Sequence, residues 1–217
     1  MKRIITDYHR GHPNFMDEEL ANALQLYTTY KAGTGATEEQ VLECCLTGNH
    51  FRCLHVTKAK RPLLIADAVK ELKKAQILSF SGGDFEALYS EVKKAIGGIN
   101  QIGLLVLYDT TKAIGHLLGI EPVNYVYTQS GAKIGAKKLL GVKRMGWRLP
   151  TTVFAKYFPD EKSIYIENML CIYKDYFSKG GANAKADTLG VLSTVTEGCG
   201  SNPKPSRPRH RTSCNSK

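Results

Sequence analysis

Long hydrophobic runs are missing from this 217-residue chain. No stretch reaches the roughly 18 apolar residues that a membrane-spanning helix needs. Met1 to His12 is basic and polar and has no apolar centre, so no secretory leader is expected there. Cysteine is too scarce for a disulfide scaffold. The six are Cys44, Cys45, Cys53, Cys171, Cys199 and Cys214, two of them adjacent and one in a polar tail. That usage reads as a reducing, cytoplasmic protein with thiols. Disorder throughout is excluded as well, because 42% of the residues are hydrophobic. The length suits one ordinary domain with room for a tail.

Acid is missing from two segments. Ser201 to Lys217 holds Lys204, Arg207, Arg209, Arg211 and Lys217 and no Asp or Glu. Ser130 to Pro150 holds Lys133, Lys137, Lys138, Lys143, Arg144 and Arg148, again with no acid. These eleven residues account for the whole net charge of +10 and leave the remainder nearly neutral. Local cationic patches suit contact with an anionic backbone, nucleic acid before membrane. The tail reads either as a solvated end or as a binding arm.

What is present is mostly helical patterning. Asp17 to Tyr30 repeats apolar residues at helical spacing. Thr37 caps a helix to about Leu46, with Glu38 and Glu39 in its first turn. Pro62 opens another through Lys74. Asp84 caps Phe85 to Ile96, and Gly103 to Leu118 follows, closed by Gly119. Pro122 to Tyr127 reads as a short extended piece. Ser130 opens a helix through Leu140, and Asp160 caps a last one from Ser163 to Phe177. The expected fold class is all-α, a multi-helix domain over residues 1–180 with a flexible basic tail over 181–217.

Between two of these helices lies Gly97-Gly98-Ile99-Asn100-Gln101-Ile102-Gly103. A tight glycine turn at a helix start turns backbone N–H groups outward, where they can hold a phosphate without reading a base. Gly98 to Gly103 resembles the turn of helix-hairpin-helix DNA-binding proteins, DNA glycosylases among them. The following Tyr108-Asp109-Thr110 to Gly119 is similar to the stretch that carries the glycosylases' catalytic aspartate. A second likeness is to small uncharacterised bacterial proteins. It rests on Tyr108-Asp109-Thr110 with Ile114-Gly115, on Val126-Tyr127 with Gly131 and Gly135-Ala136, and on Glu167 to Lys174. The resemblance implies a helix-hairpin-helix domain, double-stranded DNA as partner, and Asp109 as the catalytic carboxylate. Gly98, Asn100, Gln101 and Gly103 would then contact the backbone. Ile102 stands where lyase enzymes carry lysine, which implies hydrolysis alone.

On a helical wheel Asp109, Lys112 and His116 share one strip. That is either a solvated pair with a nearby histidine or a carboxylate beside a DNA groove. Ser130 to Leu140 has small residues on one face and Lys133, Lys137 and Lys138 on another. It is either a tightly packed helix or a phosphate contact. Lys143, Arg144 and Trp147 continue the cationic segment, with Trp147 either in the core or stacked on bases. Cys44, Cys45, His50, Cys53 and His55 are zinc-type side chains without the spacing of a standard finger, so core thiols are the favoured reading. Tyr8, His9 and His12 are further site candidates without a pattern.

The expected function is hydrolysis of the N-glycosidic bond of a damaged or modified base, such as a glucosylated cytosine of phage DNA, in repair or antiviral defence. The alternatives are a non-catalytic helix-hairpin-helix architectural protein and, more remotely, a zinc-containing RNA-binding protein. No cofactor or metal, no membrane and no obligate protein partner is implied.

Overall fold

The computed structural model describes residues 1–11, 15–47 and 61–183. Eight α-helices dominate these residues, as the all-α expectation requires. They are α1 (Lys2–Gly11), α2 (Phe15–Lys31), α3 (Glu38–Thr47), α4 (Arg61–Lys74), α5 (Phe85–Ile96), α6 (Leu104–Leu118), α7 (Ser130–Leu140) and α8 (Ser163–Ile172). Among the described residues, none is long and apolar enough to cross a membrane. Two short antiparallel pairs complete the fold. β1 (Tyr125–Tyr127) pairs with β2 (Arg148–Pro150), Val126 opposite Leu149, and β3 (Phe177–Ser178) pairs with β4 (Gly181–Ala182).

Local chemistry sets several helix ends. Thr37 Oγ1 accepts from Gln40 N–H (3.3 Å), and Thr37 N–H donates to Gln40 Oε1 (2.8 Å). This reciprocal box satisfies two donors that a bare helix start leaves open. Asp84 Oδ1 accepts from Ala87 N–H at 3.0 Å to open α5. Gly119, left-handed at φ +72°, closes α6.

The side chains bury into two adjoining cores. One gathers α2 to α6 around Leu42, Leu72, Leu88, Val92 and Ile114. The other gathers α1, α7 and α8 around Ile4, Leu139, Phe154, Phe158 and Met169. Each such side chain contributes about 1.5–3 kcal/mol by leaving water. Tyr165 packs against both cores. Central to the first is α6, ten of whose fifteen residues are buried.

Where α7 crosses α8, two glycines of α7 let the helices approach closely. A Cβ on Gly135 would stand 2.0 Å from the Leu170 carbonyl oxygen, and one on Gly131 would stand 2.4 Å from Cys171 Sγ. The small-residue face of α7 is therefore helix packing, and only its opposite face is available to a partner.

Several sequence expectations are corrected. The N-terminal stretch is a helix, α1, because Ile4 and Tyr8 fall one turn apart and both bury. Ser130 is the first helical residue of α7 rather than its cap; Gln129 precedes it, and no side chain caps the helix. Asp160 does not cap α8. It takes a left-handed turn at φ +63°, and Lys162 occupies the position before the helix. That helix stops at Ile172, not Phe177, because Tyr173 to Tyr176 turn the chain into the β3–β4 hairpin. Cys44 and Cys45 are free thiols whereas Cys171 is bonded, so the expectation of thiols throughout holds only for the first two. The tail from residue 184 onward, which includes the five basic residues of Ser201 to Lys217, lies outside the described residues.

Candidate functional site

The turn between α5 and α6 has the expected layout. Ile99 N–H donates to Ile96 O and Ile102 N–H to Ile99 O, both at 3.1 Å, and these bonds fold residues 97–103 back on themselves. Ile102 is buried and anchors the turn, while Gly98, Asn100, Gln101 and Gly103 are exposed. Gln101, rather than Asn100, takes the left-handed conformation, at φ +77°. Nothing lies within 4 Å of where a Cβ on Gly98 or Gly103 would stand. Gly103 precedes α6 without a side-chain cap, so the first amides of α6 are left for water or a ligand.

A second helix start lies beside the first. Gln129 Nε2 donates to Leu104 O at 3.2 Å, which ties the beginning of α7 to the beginning of α6. Thr128 binds the returning chain through its N–H to Trp147 O (2.8 Å) and its Oγ1 to Gly146 O (3.0 Å). The turn, the start of α7 and the 146–148 segment therefore meet at one end of the molecule. Lys133 is in the first turn of α7, Lys137 is in its last turn, and Lys143 and Arg144 are exposed on the loop that follows. Among the described residues none of these four is paired with a carboxylate. Lys138 is paired, to Asp175 Oδ1 at 2.7 Å.

Asp109 lies six residues into α6 from Gly103, about 9 Å along the axis at 1.5 Å per residue. It is half-buried, with its Oδ2 closed off from solvent. The strip it shares with Lys112 and His116 is not a solvated one. Lys112 is only 9% exposed, and its Nζ lies 5.7 Å from the centre of the Tyr108 ring. Lys112 and His116 line a small cavity with Ile164 and Tyr165. So Lys112 does not join the surface cations.

The residues around Asp109 form a tyrosine–carboxylate cluster. The Tyr108 hydroxyl donates to Glu167 Oε2 in the middle of α8. Its ring stacks on Tyr127 at 4.3 Å and 16°, and the Tyr127 hydroxyl donates to Glu86 Oε1 at 3.3 Å. Burial, helped by the charges of Glu167 and Asp109, raises the Tyr108 hydroxyl well above its ordinary pKa. Burial and the Glu86 charge raise Tyr127 against an opposing pull from Arg148. Trp147 belongs to the same packing, 5.2 Å from the rings of both Tyr89 and Tyr127. The Arg148 guanidinium lies over Tyr125 (4.4 Å) and Trp147 (5.1 Å). Trp147 is thus a half-buried core residue rather than a free stacking platform.

Through α8 the cluster reaches α1. Asn168 Nδ2 donates to the Tyr8 hydroxyl (3.1 Å), the Tyr173 hydroxyl donates to Asp7 Oδ2 (2.8 Å), and His9 Nε2 meets Glu161 Oε1 at 3.0 Å. Burial pushes Tyr8 up to about 12. Tyr8 and His9 are therefore used in packing; His12 lies outside the described residues. Sequence reading missed Glu167 and Glu86 as partners of the tyrosines. The available signal was a lone charged residue in the mostly apolar Ile164–Ile172 stretch.

Several segments of the Tyr108–Lys174 pattern meet at α8: Tyr108 binds Glu167 and stacks on Tyr127, and Gly131 and Gly135 pack on Cys171 and Leu170. Of the zinc-type residues, Cys44 and Cys45 lie on α3 with thiols that burial raises above their ordinary range. His50, Cys53 and His55 lie outside the described residues. Among the described residues no group of His, Cys, Asp and Glu could hold a metal ion. No protein-family model matches the chain, nor does any curated protein or solved structure.

Proposed function

We propose that this chain binds duplex DNA through the 97–103 turn and the adjoining start of α7, and that it hydrolyses the N-glycosidic bond of a damaged or modified base. The observation that carries this reading is the meeting of two helix starts without side-chain caps, beside a turn of open glycines and unpaired cations. Such an end offers backbone N–H groups and positive charge to phosphates while making no demand on base identity. Gly98, Asn100, Gln101, Gly103 and Lys133 would hold the backbone, with Lys137, Lys143 and Arg144 adding charge around them.

Asp109 supplies the chemistry. As the base departs, positive charge builds on the sugar ring, and a carboxylate in a partly desolvated place stabilises it. The same group accepts a proton from the water that attacks C1′. The C1′–N bond breaks, the base leaves with the bonding pair, and an abasic site remains. No lysine stands on the turn to carry the reaction further.

The test compares the wild type with Asp109→Asn on genomic DNAs, including phage DNAs that carry glucosylated cytosine, and scores alkali-labile abasic sites. Sites made by the wild type and absent with Asp109→Asn are the expected result. DNA binding with no abasic sites on any substrate would leave the second reading, a non-catalytic helix-hairpin-helix architectural protein. The closure of Asp109 Oδ2 to solvent favours that alternative.

A further inference from the structure

A different face of the molecule carries an open groove of about 760 Å³ between α3 and α4. Pro62, Ile65, Ala66 and Val69 form its apolar floor, and Leu63, 70% exposed, extends the apolar surface over one edge. The two rims have opposite charge. Glu39 and Glu43 stand one turn apart on α3; Lys70, Lys73 and Lys74 stand on α4. At one end the rims close on each other through the Lys73–Glu39 pair. Further along, Glu43 and Lys70 have no ion-pair partner among the described residues.

We infer that this groove is the interface of a homodimer, with a second copy of the chain as its occupant. Self-association about a two-fold axis presents the same patch from both sides, so the patch must complement itself. A groove with one acidic and one basic rim does so in one arrangement. An axis running along the groove lays each acidic rim over the basic rim of the partner and closes the two apolar floors on each other. An axis running across it would oppose acid to acid and lysine to lysine. Charge therefore selects the orientation, and the apolar floor supplies the driving force. This face is separate from the hairpin end, and the inference does not depend on DNA binding.

The experiment is sedimentation velocity on the full chain over a wide concentration range. The wild type is expected to reach twice the chain mass. Ala66→Glu, at an exposed position, and Glu43→Lys and Lys70→Glu, each alone, are expected to give monomers with an unchanged circular dichroism spectrum. Mixing the Glu43→Lys and Lys70→Glu chains, or joining both changes in one chain, restores opposite charges across the axis and should restore the dimer. A wild type that stays monomeric at every concentration overturns the inference. So does a dimer indifferent to Ala66→Glu, or one that the paired charge changes fail to restore.

Discussion

Tyr108 holds two neighbours at once, its hydroxyl on Glu167 and its ring on Tyr127. Removing the hydroxyl costs a half-buried carboxylate one of its donors. Tyr108→Phe should therefore lower stability by about 1–3 kcal/mol, read as a lower urea midpoint at unchanged slope. Tyr89 is the internal control. Its hydroxyl is also closed to solvent and, among the described residues, has no hydrogen-bond partner. Deleting a desolvated hydroxyl that makes no bond removes a penalty, so Tyr89→Phe should leave stability unchanged or raise it by about 1 kcal/mol. Equal losses in the two variants would contradict the hydrogen bonding described here. Neither partnership was legible in the sequence. Tyr108 and Glu167 stand 59 residues apart, and no local pattern of charge or periodicity links them.

At the scale of elements, a glycine within α7 and one in the 97–103 turn should behave oppositely. Gly135→Ala forces a methyl group to within 2.0 Å of a carbonyl oxygen of α8. The two helices must separate, at a cost of about 1–3 kcal/mol or more, and the thermal midpoint should fall. Gly98→Ala meets open space. It should change stability by less than about 1 kcal/mol but weaken duplex binding in a fluorescence anisotropy titration, because the methyl group stands where a phosphate would approach. Full affinity in Gly98→Ala would remove the turn from the interface. The helices around these positions were legible because their signals are local: an aspartate cap at 84, apolar spacing along 85–118, a glycine at 119. β2 was not. It is three residues long, contains a proline, and exists only because β1, more than twenty residues earlier, pairs with it. The end of α8 was equally hidden, since no glycine or proline marks Ile172 and the β3–β4 hairpin beyond it sets the stop.

Across the whole molecule, buried tyrosines link both cores to alkaline pH. Tyr108 and Tyr127 lie in one core, Tyr8 and Tyr173 in the other, and burial raises all four. An unfolded Tyr8 loses its proton near pH 10, whereas the folded one holds it to about 12. Between those values the unfolded chain binds fewer protons than the folded chain, so stability falls as pH rises. Below about pH 10 the contribution is complete. Far-ultraviolet circular dichroism should hold to about pH 10 and collapse above it, with the buried tyrosines ionising as it goes. Ionisation of every tyrosine near pH 10 with the ellipticity intact would refute the burial.

The enclosure of α6 has a mechanical consequence. A helix walled in on nearly every side cannot bend, slide or fray without opening the core around it. Its amides should be among the last in the molecule to exchange with solvent, while its first turn stays open to a ligand. A load taken at Gly103 thus passes along a stiff rod into the packed interior. The placement of Asp109 relative to that tip is then set by the helix itself rather than by any loop.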